Sequence, residues 1–449
     1  MAGLNSSLHH PVRIVIVGGG YVGMYTALGL QKRLGRGAAE ITVIDPQSNM
    51  TYQPFLPEAA AGSVEPRHVV VPLRKVLHKC NVVTAAVTKI THAKKTVTVQ
   101  AAEGDPYDIE YDLLVVCPGS ISRILPIPGL AESGIGFKTI GEAIYLRNHV
   151  LSRLDLAAST SDAEQRRRAL TFVFVGGGYA GVEAMAELQD MAQYATRYFP
   201  NLDAAEMRWV MVEAASRIMP EVSVRLSSYT VDRLTERNID VRLNTRLESA
   251  IGGHVVLSDG EDFDAETLVW TAGVKANPLV EATDLPRDDK GRLPCAANLT
   301  VKGVTNVFAA GDCAAVPDLS KDDPTAVCAP SAQHAVRQSK VLAANIVAAV
   351  RGNALHDYRH AYAGSVASLG LYRGVAEIYG IKLRGPIAWF MHRTYHVSRM
   401  PTLNRKVRVV ADWTGALLFR REVVALGQLQ TPRDEFQQAA GKRKLPDVS

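Results

Sequence analysis

Two stretches of the chain repeat one order of apolar, small and acidic positions. Each has a short apolar run, a glycine-rich turn, an alanine-rich segment and a second apolar run that ends in an acid. The first copy comprises VRIVIV at 12–17, GGGYVG at 18–23 and ITVID at 41–45, and the second comprises LTFVFV at 170–175, GGGYAG at 176–181 and WVMVE at 209–213. Short apolar runs predict buried strands, and the segments between them predict helices. The repeat therefore predicts an α/β fold with two Rossmann-type βαβ units and parallel sheets.

The remaining pattern predicts how these units continue. Two more buried strands are expected at 112–116, before Gly119, and at 267–271, before Gly273. Further expected segments are an antiparallel strand pair at 82–100, a polar linker at 159–168, a helix from Pro330 to about 350, and a separate module of short strands, aromatics and bases after Arg351. A length of 449 residues is sufficient for two or three domains.

Composition excludes several classes of function. The net charge of +5 is small and the bases are widely spread, so no nucleic-acid partner is expected. No apolar run reaches about 18 residues, and the N-terminal segment lacks the blocks of a secretory signal, so membrane contact would be peripheral. Five scattered cysteines without a CxxC pair disfavour a disulfide framework, a metal site and a thiol redox pair, and they fit a reducing cytosol.

The first glycine-rich turn has the spacing of a dinucleotide-binding fingerprint. Gly18 permits the tight turn, Gly20 lets the backbone approach a pyrophosphate, and Gly23 lets the helix pack on the strand. The start of the following helix offers N–H donors and a positive dipole end to the phosphates. Asp45 lies close to the expected offset of about 20 residues for the acid that binds a ribose.

The second turn assigns the same roles to Gly176, Gly178 and Gly181. Its acid, Glu213, lies further along the chain, which predicts a longer loop near 198–206. Glu213 should accept hydrogen bonds from an adenosine 2′-hydroxyl and repel a 2′-phosphate, so NADH is predicted over NADPH. Arg217 is the residue that could instead accommodate the extra phosphate.

These motifs and several others resemble the two-dinucleotide-binding flavoproteins, and within them the type II NADH:quinone oxidoreductases. The resembling segments are VFAAGDCA at 307–314, DLLVVCPGS at 112–120, YQPFLPEAA at 52–60, WTAGVKA at 270–276 and PSAQHAVRQ at 330–338. The resemblance implies that FAD binds the first unit and NADH the second, inserted one. It places Asp312 on the ribityl chain of FAD and Gly119, Ala332 and Gln333 beside that cofactor, with Gly273 in the NADH site.

The resemblance also implies a domain division and a quinone-side helix. The domains would be 1–158 and 276–351 for FAD, 159–275 for NADH, and 352–449 for a membrane-associated α+β module. The quinone-side helix, which the family places next to the flavin, would begin near Ser331. Gln333 matches the family, whereas Arg337, followed by Gln338, replaces the usual second glutamine. Positions i and i+4 share a helix face, so a Gln–Arg pair is expected there, and the acceptor, menaquinone or ubiquinone, stays open.

Three titratable residues near these motifs have two interpretations each. Glu183 and Glu187 lie one turn apart after the second fingerprint. The resemblance puts Glu183 near the contact of nicotinamide and flavin, where it would be catalytic with Gln333 and Arg337, but both glutamates could also form an ordinary polar helix face. His334 could relay a proton to a reduced quinone, although a packing role is the commoner one.

The C-terminal region contains the segment that predicts contact with a membrane surface. Residues 384–408 interleave aromatic and basic side chains and contain no acid. Such a segment suits an interface with anionic lipid. The resemblance implies a peripheral enzyme on the cytoplasmic face of the cell membrane and allows a homodimer; an ordinary β-module with a basic rim is the alternative.

The predicted activity is hydride transfer from NADH to FAD, followed by two-electron transfer to a membrane quinone without proton pumping. Three other functions share part of the motif set. A soluble NAD(P)H-dependent reductase of a redox protein would not need the basic aromatic segment. A sulfide:quinone oxidoreductase would need cysteines at the flavin. A redox-sensing flavoprotein would bind NADH with turnover only incidental.

Overall fold

A computed structural model describes residues 10–35, 37–360, 364–419, 421–425 and 433–440. The described strands are β1 (Val12–Val17), β2 (Ala39–Asp45), β3 (Asn49–Thr51), β4 (Val70–Pro72), β5 (Asn81–Thr84), β6 (Ala86–Thr91), β7 (Thr96–Gln100), β8 (Tyr107–Glu110), β9 (Leu113–Val116), β10 (Ser120–Ser122), β11 (Gly134–Gly136), β12 (Thr171–Val175), β13 (Arg208–Val212), β14 (Ile239–Arg242), β15 (Leu247–Ser249), β16 (His254–Leu257), β17 (Asp262–Asp264), β18 (Thr267–Trp270), β19 (Val274–Ala276), β20 (Leu293–Pro294), β21 (Val307–Ala309), β22 (Ala314–Ala315), β23 (Gly364–Ser368), β24 (Gly374–Ile378) and β25 (Ile381–Arg384). The described α-helices are α1 (Tyr21–Arg33), α2 (Leu56–Ala60), α3 (Leu73–Val76), α4 (Leu130–Ser133), α5 (Ile140–Ser159), α6 (Ala163–Ala169), α7 (Tyr179–Ala195), α8 (Val224–Thr235), α9 (Ala332–Arg351), α10 (Gly385–Arg399), α11 (Leu403–Phe419) and α12 (Asp434–Ala439).

The first sheet has five parallel strands in the order β21-β9-β1-β2-β5. The central strands are almost wholly apolar and buried, as expected of a parallel sheet that is covered by helices on both faces. Helices α1 and α9 pack against each other over this sheet. The predicted βαβ unit is therefore confirmed for the first copy.

The second sheet repeats this plan in the order β11-β18-β12-β13-β14, again with parallel pairing. All five strand residues of β12 are buried. The longer segment before β13 contains two short 3₁₀ turns, at Thr196–Tyr198 and Ala204–Glu206, where a longer loop was predicted.

The second sheet lies within the chain path of the first. Strand β21 joins the first sheet beside β9, yet every strand of the second sheet comes between them in sequence. A short antiparallel pair, β10 with β19, joins the ends of β9 and β18 and links the two units. This arrangement is the predicted insertion of one Rossmann-type unit in the other.

Two local predictions were wrong. Residues 159–168 are not a linker, because α5 runs to Ser159 and α6 begins at Ala163. Asp162 caps α6 by accepting hydrogen bonds from the backbone N–H groups of Glu164 (2.8 Å) and Gln165 (3.3 Å). The arginines in the last turn of α6 complement the negative C-terminal end of the helix dipole. The polar composition that predicted a linker therefore belongs to an exposed helix.

The alternating stretch at 82–100 is likewise divided. Its first part belongs to β5, which pairs in parallel with β2, and only β6 and β7 form an antiparallel pair. Alternation reports a half-exposed strand but does not specify its partner, which is why the sequence did not separate the two sheets.

The C-terminal module consists of the antiparallel sheet β23-β24-β25 and the helices α10 and α11. Helix α10 packs on all three of these strands. Pro386 occupies the first turn of α10, where a missing N–H costs nothing. Most of residues 384–408 lie in α10 and α11. Within the described ranges, no helix has the length and apolarity that crossing a bilayer requires.

Candidate functional site

The first glycine-rich turn has the geometry that close approach of a pyrophosphate requires. Gly18 lies at φ +106°, in the region that favours glycine. A Cβ on Gly23 would lie 1.8 Å from the Gly18 carbonyl oxygen, so the helix contacts the strand there without room for a side chain. A Cβ on Gly20 would meet nothing within 4 Å, which leaves its face of the turn open. Two glycines are thus required by the turn itself, and the third is available to a ligand.

The second turn reproduces this geometry. Gly176 lies at φ +114°, and a Cβ on Gly181 would lie 2.0 Å from the Gly176 carbonyl oxygen. A Cβ on Gly178 again would meet nothing within 4 Å. The residues of the two fingerprints therefore fit two bound dinucleotides, one at the start of α1 and one at the start of α7.

The predicted ribose acids brace these turns. Asp45 Oδ2 accepts a hydrogen bond from the Gly19 N–H and Glu213 Oε2 accepts one from the Gly177 N–H, each at 2.6 Å. The other oxygen of each carboxylate accepts an N–H two residues further on, at 2.7 Å in both units. Burial raises the pKa of Asp45 although these N–H donors oppose the shift. Each acid therefore holds its turn and stands at the end of its strand, where a ribose would be read.

Charge at Glu213 predicts the choice of nicotinamide cofactor. The wild-type protein is expected to use NADH at least tenfold more efficiently than NADPH, because a 2′-phosphate near this carboxylate costs about 1 to 4 kcal/mol. Arg217 donates instead to the carbonyl oxygens of Pro220 (2.6 Å) and Val222 (3.1 Å). Glu213→Gln should lower the ratio of kcat/KM for NADH to kcat/KM for NADPH.

The exposed Glu248→Gln, in the same unit, is the matched control for that measurement and should leave the ratio unchanged. Equal or better efficiency with NADPH in the wild-type protein contradicts the prediction.

Asp312, which resembles the ribityl-binding aspartate of the family, lies at the end of the first sheet. Its Oδ2 accepts a hydrogen bond from Ser120 Oγ (2.6 Å), and Lys138 Nζ donates to the same Ser120 oxygen (2.5 Å). The preceding Gly311 donates its N–H to the buried Gln338 side chain at 2.7 Å. Sequence reasoning missed Lys138, since it belongs to no motif and comes close to Asp312 only through the fold.

The small residues at the strand ends lie where the two units meet. Gly119 (φ +75°) follows β9 and Gly273 (φ +91°) follows β18, and a Cβ on either would meet nothing within 4 Å. Both glycines flank the β10–β19 pair that links the units. Carboxyl ends of parallel strands form the usual ligand edge of such sheets, and the cofactor contacts expected of both glycines stay a prediction.

The expected Gln–Arg pair is present on α9. Arg337 Nη1 donates to Gln333 Oε1 at 3.1 Å and also contacts His360. Gln333 Nε2 donates to the carbonyl of Gly364 at 3.1 Å, which joins α9 to the C-terminal module. Ser331 caps the helix by accepting the His334 N–H at 3.2 Å, so Ala332 is its first residue.

His334 lies beside this pair but is half-buried and bonded elsewhere. Its Nδ1 is 2.8 Å from the Tyr358 hydroxyl. Burial lowers the pKa of His334 and lowers that of His360 to about 4, with Arg337 adding to both shifts. Both imidazoles are therefore neutral near pH 7, and the packing role of His334 has direct structural support.

Glu183 and Glu187 are both buried rather than on a solvated face. Glu183 Oε1 accepts the Ser368 N–H at 2.8 Å and lies 3.1 Å from Nε2 of the buried His392. Glu187 accepts from Ser368 Oγ at 3.0 Å. Arg421 pairs with it at 3.5 Å between Nη2 and Oε2.

These glutamates belong to a buried charge cluster that spans three parts of the chain. Its other members are Glu58 on α2 and Arg393 on α10, whose Oε1 and Nε atoms lie 3.4 Å apart. Burial alone would lower the pKa of His392, but the nearby carboxylate of Glu183 raises it above the ordinary value. Sequence analysis singled out Glu183 and Glu187 but did not pair them with cations, because their partners come from the C-terminal module, far along the chain.

The five cysteines are free thiols and are not joined in disulfides. Burial raises the pKa of Cys313 to about 12 and that of Cys328 to about 11, and it raises the pKa of Cys117 well above its ordinary value. Thiolates, which cysteine nucleophiles require, are disfavoured at these positions.

Comparisons with known proteins agree with this geometry. A family model described as pyridine nucleotide-disulphide oxidoreductase matches residues 12–339. A type II NADH:quinone oxidoreductase of Staphylococcus epidermidis is 30% identical over 387 residues, which cover 85% of this chain and 93% of that protein. The type II NADH:quinone oxidoreductase Ndh of Mycobacterium tuberculosis is 27% identical over 451 residues, covering 97% of this chain and 93% of that protein.

Among solved structures, NDH2 from Plasmodium falciparum in complex with NADH superimposes with a TM-score of 0.85 at 16% identity, covering 92% of this chain and 99% of that chain. At this identity the likeness concerns the fold. Together with the family match over most of the sequence, these findings place the chain among the pyridine nucleotide-disulphide oxidoreductases and, within them, in the type II NADH:quinone oxidoreductase family.

Proposed function

We propose that this protein is an FAD-dependent NADH:quinone oxidoreductase, with FAD in the first unit, NADH in the second and a quinone as the final acceptor. The observation that carries the proposal is the pair of glycine turns with similar positive φ values, an open position at the equivalent glycine and an equivalent carboxylate brace. The S. epidermidis and M. tuberculosis relatives bear this activity in their names.

The two turns bind by offering backbone N–H groups to phosphates. The first N–H groups of any α-helix have no acceptor within the helix, and the helix dipole adds positive potential at the same end. Gly18, Gly20, Gly23 and Asp45 would hold the adenosine half of FAD, and Gly176, Gly178, Gly181 and Glu213 that of NADH. The carboxylates keep the turns shaped before either nucleotide arrives, which lowers the cost of binding.

The β10–β19 junction would orient the reacting ends of the two nucleotides. Gly119, Asp312, Ala332 and Gln333 would face FAD, and Gly273 would face NADH. FAD, when bound, supplies the two-electron chemistry, so no side chain need form a covalent intermediate. Ser331 caps α9, and the positive N-terminal end of that helix would favour negative charge placed beside it.

The acceptor side is proposed to be formed by Gln333 and Arg337, and Glu183, in the buried cluster, is proposed as a further catalytic residue. Arg337 holds Gln333 in one orientation, so the pair can present a donor to a quinone oxygen. Burial raises the pKa of the Cys117 and Cys313 thiols, which disfavours the thiolates that a sulfide:quinone oxidoreductase would use. The domain limits at 158, 275 and 351 and the choice of menaquinone or ubiquinone stay predictions.

The function is tested by following the flavin spectrum of the purified holoprotein. We expect NADH to bleach the oxidised flavin band within the mixing time of a stopped-flow experiment, and menaquinone or a short-chain ubiquinone to restore it. A protein whose flavin is reduced by NADH but is reoxidised only by a redox protein would be a soluble reductase. A protein that binds both nucleotides without turnover would be a sensor.

We also propose that the C-terminal module docks peripherally on the cytoplasmic membrane surface. The large apolar side chains exposed on its two helices are Ile387, Phe390, Leu403, Val407, Val410, Leu417, Leu418 and Phe419. Arg405, Lys406 and Arg408 lie among them on α11. Apolar anchors beside bases suit an anionic lipid surface, whereas the alternative β-module with a basic rim would not expose a helix of this kind. A homodimer through the same module stays a prediction.

Substitution at the end of α11 tests the docking surface. Leu418 and Phe419 are 73% and 86% exposed, and burying each in lipid contributes about 1.5–3 kcal/mol. The double variant Leu418→Ser/Phe419→Ser is expected to bind vesicles with anionic lipid at least tenfold more weakly in a sedimentation assay. Val224→Ser, an exposed apolar residue of the second unit, is the control, and equal binding by all proteins would contradict the proposal.

A further inference from the structure

Lys138 is held in place by segments that approach it from three directions. It lies between β11 and α5, where its N–H donates to Glu142 Oε2 at 2.8 Å. Its carbonyl oxygen accepts a hydrogen bond from Gln53 Nε2 at 3.2 Å. Glu142 Oε2 also accepts the N–H of Thr139 in the capping box of α5. The backbone of Lys138 is therefore constrained on both sides of its Cα atom.

The side chain of Lys138 is directed at Asp312. Its ammonium donates to Ser120 Oγ at 2.5 Å, and Ser120 Oγ donates to Asp312 Oδ2 at 2.6 Å. Burial lowers the pKa of Lys138, although the charges of Asp312 and Glu142 oppose this shift. The hydroxyl thus connects a partly buried cation to a carboxylate.

The three partners come from three of the segments that resemble the family. Gln53 belongs to the segment at 52–60, Ser120 to the segment at 112–120, and Asp312 to the segment at 307–314. Lys138 belongs to none of them. Gln53 holds the backbone of Lys138, whereas the ammonium meets Ser120 and, through it, Asp312. The contact of the ammonium is not needed to start α5, because Thr139 and Glu142 already complete that cap.

We propose that Lys138 is a positioning residue for the flavin, which orients Asp312 through Ser120 and adds a positive charge beside the proposed FAD site. The inference rests on the proposed binding of FAD in the first unit. Hydride transfer from NADH adds two electrons and one proton to FAD, so the reduced cofactor carries one negative charge until a second proton binds. A nearby ammonium stabilises that state relative to the neutral oxidised state.

The charge is tested by measuring the midpoint potential of the bound flavin in the holoprotein against a reference dye. In Lys138→Met, reduced FAD is expected to bind at least tenfold more weakly relative to oxidised FAD, which for a two-electron couple lowers the potential by about 30 mV. Lys138→Gln keeps a hydrogen-bond donor for Ser120 without the charge and should show the same decrease. Lys138→Arg keeps the charge and should stay near the wild-type potential.

Lys89→Met removes an exposed lysine of the same unit and serves as the matched control. The inference is overturned if Lys138→Met and Lys138→Gln have the potential of that control, or if Lys138→Arg shows the same decrease as the neutral variants. The potential can be measured on any protein that holds FAD, whatever its acceptor. Failure of the NADH-to-quinone assay with wild-type protein would therefore refute the proposed function and leave the test of Lys138 valid.

Discussion

Replacement of Gly181 by alanine is expected to leave a protein that keeps its FAD but is poorly reduced by NADH. The added Cβ would lie 2.0 Å from the Gly176 carbonyl oxygen and 2.6 Å from Thr271 Oγ1, so the second turn must move. Forcing a methyl group into a packed site typically costs about 1–3 kcal/mol, which corresponds to a roughly ten- to hundredfold higher KM for NADH if the displacement is felt at the nucleotide. Stopped-flow reduction at varied NADH concentration measures this effect.

The equivalent change in the first turn separates the two sites. In Gly23→Ala the Cβ would lie 1.8 Å from the Gly18 carbonyl oxygen, so FAD itself should be lost during purification. Gly178→Ala has open space around the new Cβ and should preserve the fold, as judged by circular dichroism, while it impairs NADH binding alone. If Gly181→Ala were reduced with an unchanged NADH dependence, the second turn would not be the NADH site.

Loss of the Arg421 side chain is expected to have the largest effect on stability. Glu187 is 1% exposed. Arg421 Nη2 lies 3.5 Å from Glu187 Oε2, and Arg421 Nη1 donates a hydrogen bond to the backbone oxygen of Glu187 at 3.2 Å. Removal of one partner of a buried ion pair leaves an uncompensated charge and costs about 3–5 kcal/mol. Arg421→Met should therefore unfold at a clearly lower denaturant concentration than the wild-type protein at pH 8.

The sign of the pH dependence follows from Glu187. Burial raises its pKa in the folded protein, so between about pH 4.3, the ordinary value, and the raised value the folded state binds more protons than the unfolded state. Stability from this group therefore falls as the pH rises through that window. Arg421→Met removes a charge that opposes the shift, so its deficit should grow with pH and shrink toward pH 4.

Two variants control for other causes. Glu187→Gln combined with Arg421→Met removes both charges and should recover part of the stability together with a flatter pH profile. Arg67→Met removes an arginine from an exposed pair with Glu65, where solvent screens the charges, and should unfold like the wild-type protein. A deficit in Arg421→Met that is independent of pH would mean that lost packing, not the charge of Glu187, is responsible.

Local features of the sequence predicted most of the two nucleotide turns. A strand that precedes three glycines, and a helix that follows them, are specified by residues close together in the chain. In the structure, Gly18 and Gly176 accordingly have positive φ values, and a Cβ atom on Gly23 or Gly181 would clash with the backbone. The i, i+4 spacing likewise predicted the contact between Gln333 and Arg337, because a helix brings these positions together whatever surrounds it.

Predictions failed where one local pattern is compatible with two structures. A polar, arginine-rich segment can be a linker or an exposed helix. Residues 163–169 form a helix, whose first turn Asp162 stabilises as the N-cap. Alternation at 82–100 could not assign β5 to the parallel sheet, since its partner β2 lies elsewhere in the sequence. The mixture of bases and aromatics at 384–408 did not by itself predict helices. In the structure, α10 begins within this segment at Gly385 and Pro386.

The sequence by itself determined the two Rossmann-type units, their glycine turns and the acids that follow them, because each depends on hydrogen bonding and periodicity over a few neighbouring residues. Only the tertiary structure decided that Lys138 reaches Asp312 through Ser120, and that Arg393 and Arg421 neutralise Glu58 and Glu187. A buried charge can take its partner from any part of the chain, and burial, which makes the pairing necessary, exists only once the chain has folded.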